Sequence, residues 1–478
     1  MDGKTAVILA AGAGTRMKSD RPKVLHEVMG RSMVSHVITQ VRKAGADRII
    51  AVTGHGAEAV REELSAEEGI IFAVQEEQLG TGHAVMQALD DLPEEGDVFI
   101  LCGDTPLITA RTLSGFAEYH HSRNAVLTVL TAMYEDPTGY GRILRNRDGS
   151  LLRIVEQKDA TEVQKMIKEV NAGMYYVDAG FLRTALPKIT NENAQNEYYL
   201  TDLVELAVSA EQKTEAYCVE DPDEIMGVNN RIQLAAASAA MSRRINREHM
   251  MNGVTILDPE RTYIEQDVVI GADTEIWPGT VLRGETRIGR GVMIGTDCVI
   301  ENSVIDNGAD IQKSVIKNSS IGEFSSVGPF AYIRPGTRVG RECKVGDFVE
   351  FKNADFGDGS KASHLAYIGD ADVGTDCNIG CGVIFANYDG KNKHRTTVGD
   401  RVFVGSNSNL VAPVTVNDDS FIAAGTTVTK EVPAGALSVG RSPDKSLSGW
   451  VERKGLIRSN LHGKKKNSEN DSDPNKSE

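Results

Sequence analysis

Residues 9–26 read LAAGAGTRMKSDRPKVLH, a run of alanine and glycine followed by several cations, directly after an apolar stretch. Small residues let backbone N–H groups approach a phosphate closely. Arg16 and Lys23 add charges that can pair with one. Two familiar phosphate loops fail on spacing. A dinucleotide fingerprint needs a third glycine where Met17 stands, and a Walker A loop needs Gly-Lys where Met17 and Lys18 follow Gly12. At this level the stretch reads either as an anion cradle or as a plain glycine turn with surface cations. A second chemical position is Asp104 in GDTP (103–106), just beyond the apolar run 98–102; a turn aspartate is the plainer reading. A third is KNADFGDGSKASHLAYIGD (352–370), which brings polar, charged and aromatic residues into a repetitive region. Cys377 and Cys381 are four apart with no second ligand pair nearby, so the spacing does not describe a zinc site.

The first half has the elements to hold such residues. Residues 5–11, 48–54, 70–75, 97–104 and 124–132 are short apolar runs expected to be buried strands. Amphipathic stretches lie between them. In one, Met33, Val34, Val37, Ile38 and Val41 have helical spacing, and Gly45 marks a stop. Strands alternating with helices predict a mostly parallel sheet covered on both faces, with ligands at the carboxyl ends of strands. Both the 9–26 loop and Asp104 fall at such ends. Residues 229–252 lack glycine and proline and are rich in alanine, arginine and methionine, which predicts one connecting helix about 35 Å long.

Beyond it the pattern changes. Ile264, Ile270, Ile276, Leu282, Ile288, Ile294 and Ile300 recur every six residues. The phase breaks and resumes at Ile321, Val327, Ile333, Val339 and Val345, then again from Val398 through Val404, Leu410, Val416 and Ile422 to Val428. A six-residue period fits neither helix nor ordinary strand. It is the mark of a parallel β-helix whose aliphatic residues stack inside a triangular coil. Residues 352–370 interrupt it and are expected to protrude as a loop on the binding face.

Several whole-chain features narrow the function. The 478 residues carry a net charge of −16, which argues against nucleic acid or an anionic membrane as the main partner. Six cysteines scattered over so long a chain suggest no disulfide framework, and no apolar run reaches the ~18 residues of a membrane span. With no signal-peptide pattern, a reducing cytoplasm is expected. The expected organisation is a nucleotide-handling domain over 1–228, a linker helix over 229–252, the β-helix over 253–458 and a polar, disordered tail over 459–478.

The motifs converge on a family. LAAGAGTRM…PKVLH, QLGTGHA (78–84), GDTPL (103–107), GYGRI (139–143), IVEQKDA (154–160), VNAGMY (170–175) and GVNNR (227–231) resemble the sugar-nucleotide pyrophosphorylases. Together with the hexapeptide half, FKNADFGDGSKASHLAYIGD and FANYDGKNKHRT (385–396) resemble the bifunctional N-acetylglucosamine-1-phosphate uridylyltransferase and glucosamine-1-phosphate N-acetyltransferase family. The resemblance spans about residues 4–457. It implies an α/β Rossmann-like nucleotidyltransferase domain followed by a left-handed parallel β-helix, assembled as a homotrimer. It implies UTP, N-acetylglucosamine-1-phosphate, glucosamine-1-phosphate and acetyl-CoA as substrates, with Mg²⁺ as cofactor.

The resemblance also assigns residues. Arg16 and Lys23 would meet phosphates, and the backbone of Leu9, Ala10, Ala11 and Gly12 the nucleotide. Asp104 and Asn229 would be Mg²⁺ ligands, although Asn229 could also merely cap the connecting helix. Gln75, Gly80 and Thr81 would contact uracil, and Gly141, Glu156 and Asn171 the sugar. In the second half His364 would be the general base. Arg334 and Lys352 would hold the sugar phosphate, and Tyr367, Asn378, Asn387 and Tyr388 the amino sugar or acetyl group. Ser406, Ala424 and Arg441 would face coenzyme A. His120, His121 and His394 have no comparable setting and are expected to face solvent. Two other readings remain at this point: a monofunctional pyrophosphorylase with a structural β-helix, and a non-catalytic pyrophosphorylase-like subunit.

Overall fold

The computed structural model describes residues 4–456; the expected disordered tail at 459–478 lies outside the described residues. The strands of the first half are β1 (Lys4–Ala10), β2 (Glu27–Val28), β3 (Arg31–Ser32), β4 (Ala46–Thr53), β5 (Ile70–Val74), β6 (Asp97–Cys102), β7 (Leu127–Met133), β8 (Arg142–Arg145), β9 (Leu151–Val155), β10 (Glu169–Asp178) and β11 (Thr214–Cys218). β2 and β3 form a separate ribbon; the other nine make one sheet ordered β11-β7-β10-β6-β1-β4-β5, with the β8–β9 hairpin attached to β10. The five expected strands are present. The sheet is nonetheless more mixed than expected, because β10 runs antiparallel to both neighbours, β6 and β7.

Side chains alternate across β1, as a strand requires. Ala6, Ile8 and Ala10 pack with Val34, Val37, Ile38 and Val41 of the helix Met33–Lys43. Val7 packs on the other face with Ile50, Val85, Val98 and Ile100. The helix Met33–Lys43 starts where the Ser32 hydroxyl accepts from the Ser35 N–H, and ends near Gly45, whose φ is +92°.

The connecting helix runs Arg231–Met251, about 30 Å by its rise. Its cap is Asn230, whose side chain accepts from Gln233 N, not Asn229. Nor does it separate two independent cores. Ala237, Ala240, Met241 and Ile245 join one continuous apolar cluster running from Val28, Met29, Met33 and Leu107 into the first coils. Gln266 N donates to Met29 O at 3.1 Å, and Arg31 Nε to Asp267 Oδ2 at 2.8 Å, so the first coil sits directly against the β2–β3 ribbon.

The second half is a parallel β-helix of short strands. Tyr263 pairs with Val281, and Val269 with Arg287, one 18-residue coil apart. The break in the hexad phase does not break the core. Val299 pairs with Val315 and Val304 with Ser320, in 16-residue coils whose corners are shorter. Ile300, Ile305, Ile311, Ile316 and Ile321 remain buried and stacked. Buried hydroxyls also stack: Thr274 Oγ1 donates to Gly289 O at 2.8 Å, and Ser325 Oγ to Gly340 O at 2.7 Å. These bonds satisfy polar groups that would otherwise be costly to bury.

Residues 352–370 correct an expectation. They do not protrude. They lie in two long strands, Lys344–Phe356 and Lys361–Val373, paired in parallel register from Lys344↔Lys361 to Phe356↔Val373. Phe351, Phe356, Ala362 and Ile368 point inward and continue the buried ladder, so the polar residues between them are the outward half of ordinary coils. The real insertion follows. Ala371 pairs with Thr396, a 25-residue coil, and the excess forms a turn closed by the Tyr388↔Lys393 bridge.

Candidate active sites

A cavity of about 300 Å³ opens at the carboxyl ends of β1, β5 and β6. Leu9, Ala11, Gly12, Lys23, Gln75, Gly80, Thr81 and Asp104 line it, joined by Val24, Gln78 and Ala84, which lie in the quoted motifs without an assigned role, and by Cys102 and Glu197, which lie outside them. Ala10 does not line it; its side chain faces the helix Met33–Lys43, because the strand alternates. An added Cβ at Gly12 would meet no atom within 4 Å, so the loop leaves open space there.

Three chain-distant residues meet beside this cavity. Lys23 Nζ forms an ion pair with Asp104 and donates to Asn229 Oδ1 at 3.1 Å. Arg16 Nη2 donates to the same Asn229 oxygen at 3.0 Å. The connecting helix and the segment just before it secure both loops: Val228 N donates to Asp104 O, Arg231 Nε to Met17 O, and Arg244 Nη1 to Leu107 O. The Asp104 carboxylate and the Asn229 amide oxygen therefore converge on one cationic centre. One carboxylate and one amide oxygen suit a hard cation that keeps waters and phosphate oxygens in its remaining positions.

Gly141, Glu156 and Asn171 form a second group. A Cβ at Gly141 would lie 3.3 Å from Glu156 Oε1 and 3.5 Å from Asn171 Cβ. Asn171 Oδ1 accepts from Gly173 N at 2.9 Å, and Cys102 Sγ contacts Gly173 O, linking this group to the cavity wall. Burial, with the negative charges of Asp159, Asp202 and Glu197, raises the Glu156 carboxyl above its usual range. Burial pushes the Cys102 thiol up to about 12, so it is a neutral part of the wall.

The β-helix builds its groups by stacking. Arg334 N donates to Phe351 O, and Lys352 pairs with Gly369, so Arg334, Lys352 and Asp370 occupy one edge on successive coils. Lys352 Nζ lies 3.2 Å from Asp370 Oδ2; Asn353 Nδ2 and Asn387 Nδ2 also donate to that carboxylate. Burial opposes ionisation of Asp370, but the bonds from Asn353, Lys352 and Asn387 outweigh it and hold the carboxyl below its usual range. Lys393, on the inserted turn, is held below the ordinary ammonium range by Lys352 beside it. An edge with Arg334, Lys352 and Lys393 close together is suited to a phosphate. Sequence reasoning missed Asp370 and Lys393; Asp370 is a single acid whose importance comes from three neighbours that only the coil brings together. Tyr367 Oη lies 3.4 Å from Asn387 Nδ2. Tyr388 stands apart, exposed on the turn with its hydroxyl on Gly390 O.

His364 lies at a different corner. Its Nδ1 is 2.7 Å from Asp347 Oδ1, another partner the motifs did not reveal, and this bond lowers the Asp347 carboxyl below its usual range. A carboxylate can only accept, so Nδ1 carries the proton and Nε2 of the neutral ring is free to take one. From this corner the chain repeats upward: Gly382 N donates to Leu365 O, Asn407 N to Cys381 O, Gly425 N to Ser406 O, and Arg441 Nη1 to Ala424 O. His364, Ser406, Ala424 and Arg441 thus mark one strip running up several coils, each step about 4.8 Å. Asn378 is on the coil between those of His364 and Ser406 but in the adjoining column, paired with Lys361 and Phe403, three residues ahead of the strip. Six residues separate His364 from Asp370, one side of the triangular coil, so the basic edge and the histidine edge of one chain are at neighbouring corners.

Of the three histidines expected to face solvent, His120 does not. It is 2% exposed, with Nδ1 2.8 Å from Thr128 Oγ1 and its ring edge-on to Tyr176, because it lies on the inward face of the helix Ala110–Arg123. His121 is exposed beside Asp97, and His394 pairs with Asp389 across the inserted turn.

Comparison with known proteins agrees with this architecture. The MobA-like NTP transferase domain family matches residues 6–170, the GMPPB C-terminal domain family residues 260–349, and the bacterial transferase hexapeptide family (six repeats) residues 395–430. The parallel coils together with the hexapeptide match are consistent with a left-handed β-helix. The chain is 52% identical over 449 residues to a bifunctional protein GlmU of Clostridioides difficile, covering 94% of this chain and 97% of that protein. It is 51% identical over 451 residues to the protein of the same name from Alkaliphilus metalliredigens, covering 94% and 98%. A third, from Brevibacillus brevis, is 52% identical over 437 residues, covering 91% and 94%.

Proposed function

The chain belongs to the bifunctional GlmU family, and on that premise we propose how its two sites divide the work. The protein is a bifunctional transferase, with a nucleotidyltransferase half and an acetyltransferase half. The β-helix half acetylates glucosamine-1-phosphate with acetyl-CoA. The α/β half then transfers UMP from UTP to N-acetylglucosamine-1-phosphate and releases pyrophosphate. The product, UDP-N-acetylglucosamine, feeds peptidoglycan, lipopolysaccharide or another wall polymer. Among the described residues no helix is long and apolar enough to cross a membrane. With substrates that are all water-soluble, we place the reactions in the cytoplasm.

In the acetyl site the amine must lose a proton to attack the thioester carbonyl. His364 Nε2 takes it, while Asp347 holds Nδ1–H and supports the positive ring. Arg334, Lys352 and Lys393 receive the sugar phosphate, and the strip from His364 to Arg441 gives coenzyme A an extended bed. The observation that carries assembly is the separation of the basic edge from the histidine edge: one small sugar phosphate cannot reach both within a single coil. A homotrimer, in which one chain's histidine edge faces a neighbour's basic edge, completes the site. Light scattering should give three chains per particle; a monomer with full acetyl activity would overturn this assembly.

In the uridylyl site both reactants are anions, so the residues must align them and offset charge. Arg16 and Lys23 meet the triphosphate. Asp104 and Asn229 would hold Mg²⁺, which when bound stabilises charge on the phosphates. Gln75, Gly80 and Thr81 face the base, and Gly141, Glu156 and Asn171 the sugar. The single observation supporting this division is the convergence of Lys23, Asp104 and Asn229 at the mouth of the cavity. The purified chain, given glucosamine-1-phosphate, acetyl-CoA, UTP and Mg²⁺, should form UDP-N-acetylglucosamine. Accepting only preformed N-acetylglucosamine-1-phosphate would favour a monofunctional enzyme, which the relatives' shared bifunctional name disfavours.

A further inference from the structure

One wall of the nucleotide cavity has its hydrogen-bond polarity fixed by the protein itself. Gln75 lines the cavity and is 4% exposed. Its Nε2 donates to Gly80 O at 3.1 Å and lies 3.1 Å from His83 Nδ1. A carbonyl can only accept, so the end of the amide that faces Gly80 is the nitrogen. Its second hydrogen is directed at His83 Nδ1, which accepts in the tautomer that carries its proton on Nε2; Gln87, whose amide lies 3.2 Å from that Nε2, then turns its oxygen to the ring. Both amide hydrogens are occupied, and Oε1 is the group left for whatever enters. The Gly80 carbonyl is itself held in place. Gly80 has φ +109°, and a Cβ there would lie 2.6 Å from Tyr198 O, so no larger residue fits. The His83 ring is packed 6.1 Å from the Tyr198 ring.

We propose that His83 is a positioning residue for base selection. With the Gly80 carbonyl it locks the Gln75 amide so that Oε1 faces the cavity and accepts from a pyrimidine ring N–H. Uracil presents a donor at N3; cytosine presents an acceptor there, which would oppose Oε1. A freely rotating amide would suit both bases by flipping. The lock removes that option, because a flip would set Oε1 against the Gly80 carbonyl and break the bond to Nδ1. This inference rests on the proposed reading of Gln75 as the base contact.

The test compares UTP and CTP as substrates of the full chain. His83→Phe keeps the ring packing and removes the acceptor. It should lower the UTP-over-CTP ratio of kcat/KM on the order of tenfold, the value of about one hydrogen bond. The loss should appear as a higher KM for UTP and a lower KM for CTP, with kcat at saturating UTP within about twofold of the parent. His83→Asn, whose Oδ1 can stand where Nδ1 stood, should keep the parent ratio. If the phenylalanine variant is insoluble, His83→Ala serves the same comparison. A parent ratio in whichever of these is soluble overturns the proposal. Gln75→Ala separates the two readings. If it loses selectivity while His83→Phe does not, only the role of His83 falls; if it too keeps the parent ratio, the base-contact reading falls with it.

Discussion

The two halves of this chain gather chemical groups in opposite ways. In the α/β half, Lys23, Asp104 and Asn229 are separated by 81 and 206 residues along the chain and meet only because loops after different strands open on one edge of the sheet. In the β-helix, neighbours in the site lie one coil apart, as with Arg334 and Glu350 or Lys352 and Asp370, 16 and 18 residues on. The first arrangement needs a helix to tie its loops together, and Arg231 and Arg244 of the connecting helix do so. The second needs only that the coil keeps its register. A loop-built site can converge on one point; a stacked site extends along an edge and leaves its parts at separate corners.

The strongest way to break this contrast is to remove one chemical group from each half. His364→Ala should reduce acetyl transfer on the order of 10²–10⁴-fold and leave uridylyl transfer unchanged. Asp104→Asn should reduce uridylyl transfer about 10²–10³-fold and leave acetyl transfer unchanged. Both half-reactions would be assayed on each variant, with folding checked by circular dichroism. A shared loss in either one would show that the continuous core couples the sites.

A milder perturbation addresses how each half carries strain. Ile300 is fully buried in the repetitive ladder, and Ile300→Ala should destabilise the β-helix by about 2–5 kcal/mol. Coils contact mainly their nearest neighbours, so the damage should stay local. Denaturant unfolding should show the loss, while uridylyl transfer at 25 °C stays within about twofold of the parent. A matching loss of uridylyl activity would contradict the local picture.

The smallest expected effect is electrostatic. Burial, then Glu205 and Asp159, raise the Asp202 carboxyl to about 6. Because the folded value lies above the ordinary one near 3.8, the ionised carboxylate destabilises the fold above pH about 6, and this cost fades as pH falls toward 3.8. Asp202→Asn should therefore stabilise the protein at pH 7.5 by roughly 1 kcal/mol, a figure reduced for the group's partial exposure. The gain should shrink progressively below pH 6. Thermal melts at pH 7.5 and 5 check this, and an equal gain at both would assign it to something other than charge. Asp370 in the β-helix has the opposite shift, so the pair sharpens the comparison: one half keeps an uncompensated acid beside its site, the other a fully hydrogen-bonded one.

Much of this was legible in the sequence, because periodicity is local. The five apolar strands, the helix Met33–Lys43 and the hexad ladder each follow from side-chain spacing against a fixed backbone repeat. The glycine-rich loop and GDTP could be placed at strand ends for the same reason. What spacing could not reveal is which segments become neighbours. The antiparallel β10, the burial of His120, the cap at Asn230 rather than Asn229, and the continuous core beneath the connecting helix all depend on packing between distant segments. In the β-helix, the outward half of two ordinary strands at 352–370 looks like an insertion when read linearly, while the true insertion near Tyr388–Lys393 keeps a polar composition similar to its surroundings. Asp347 beside His364 and Asp370 among Lys352, Asn353 and Asn387 are set by coil length. A corner one residue shorter shifts every later partner, and only the folded coil fixes how many residues each corner holds.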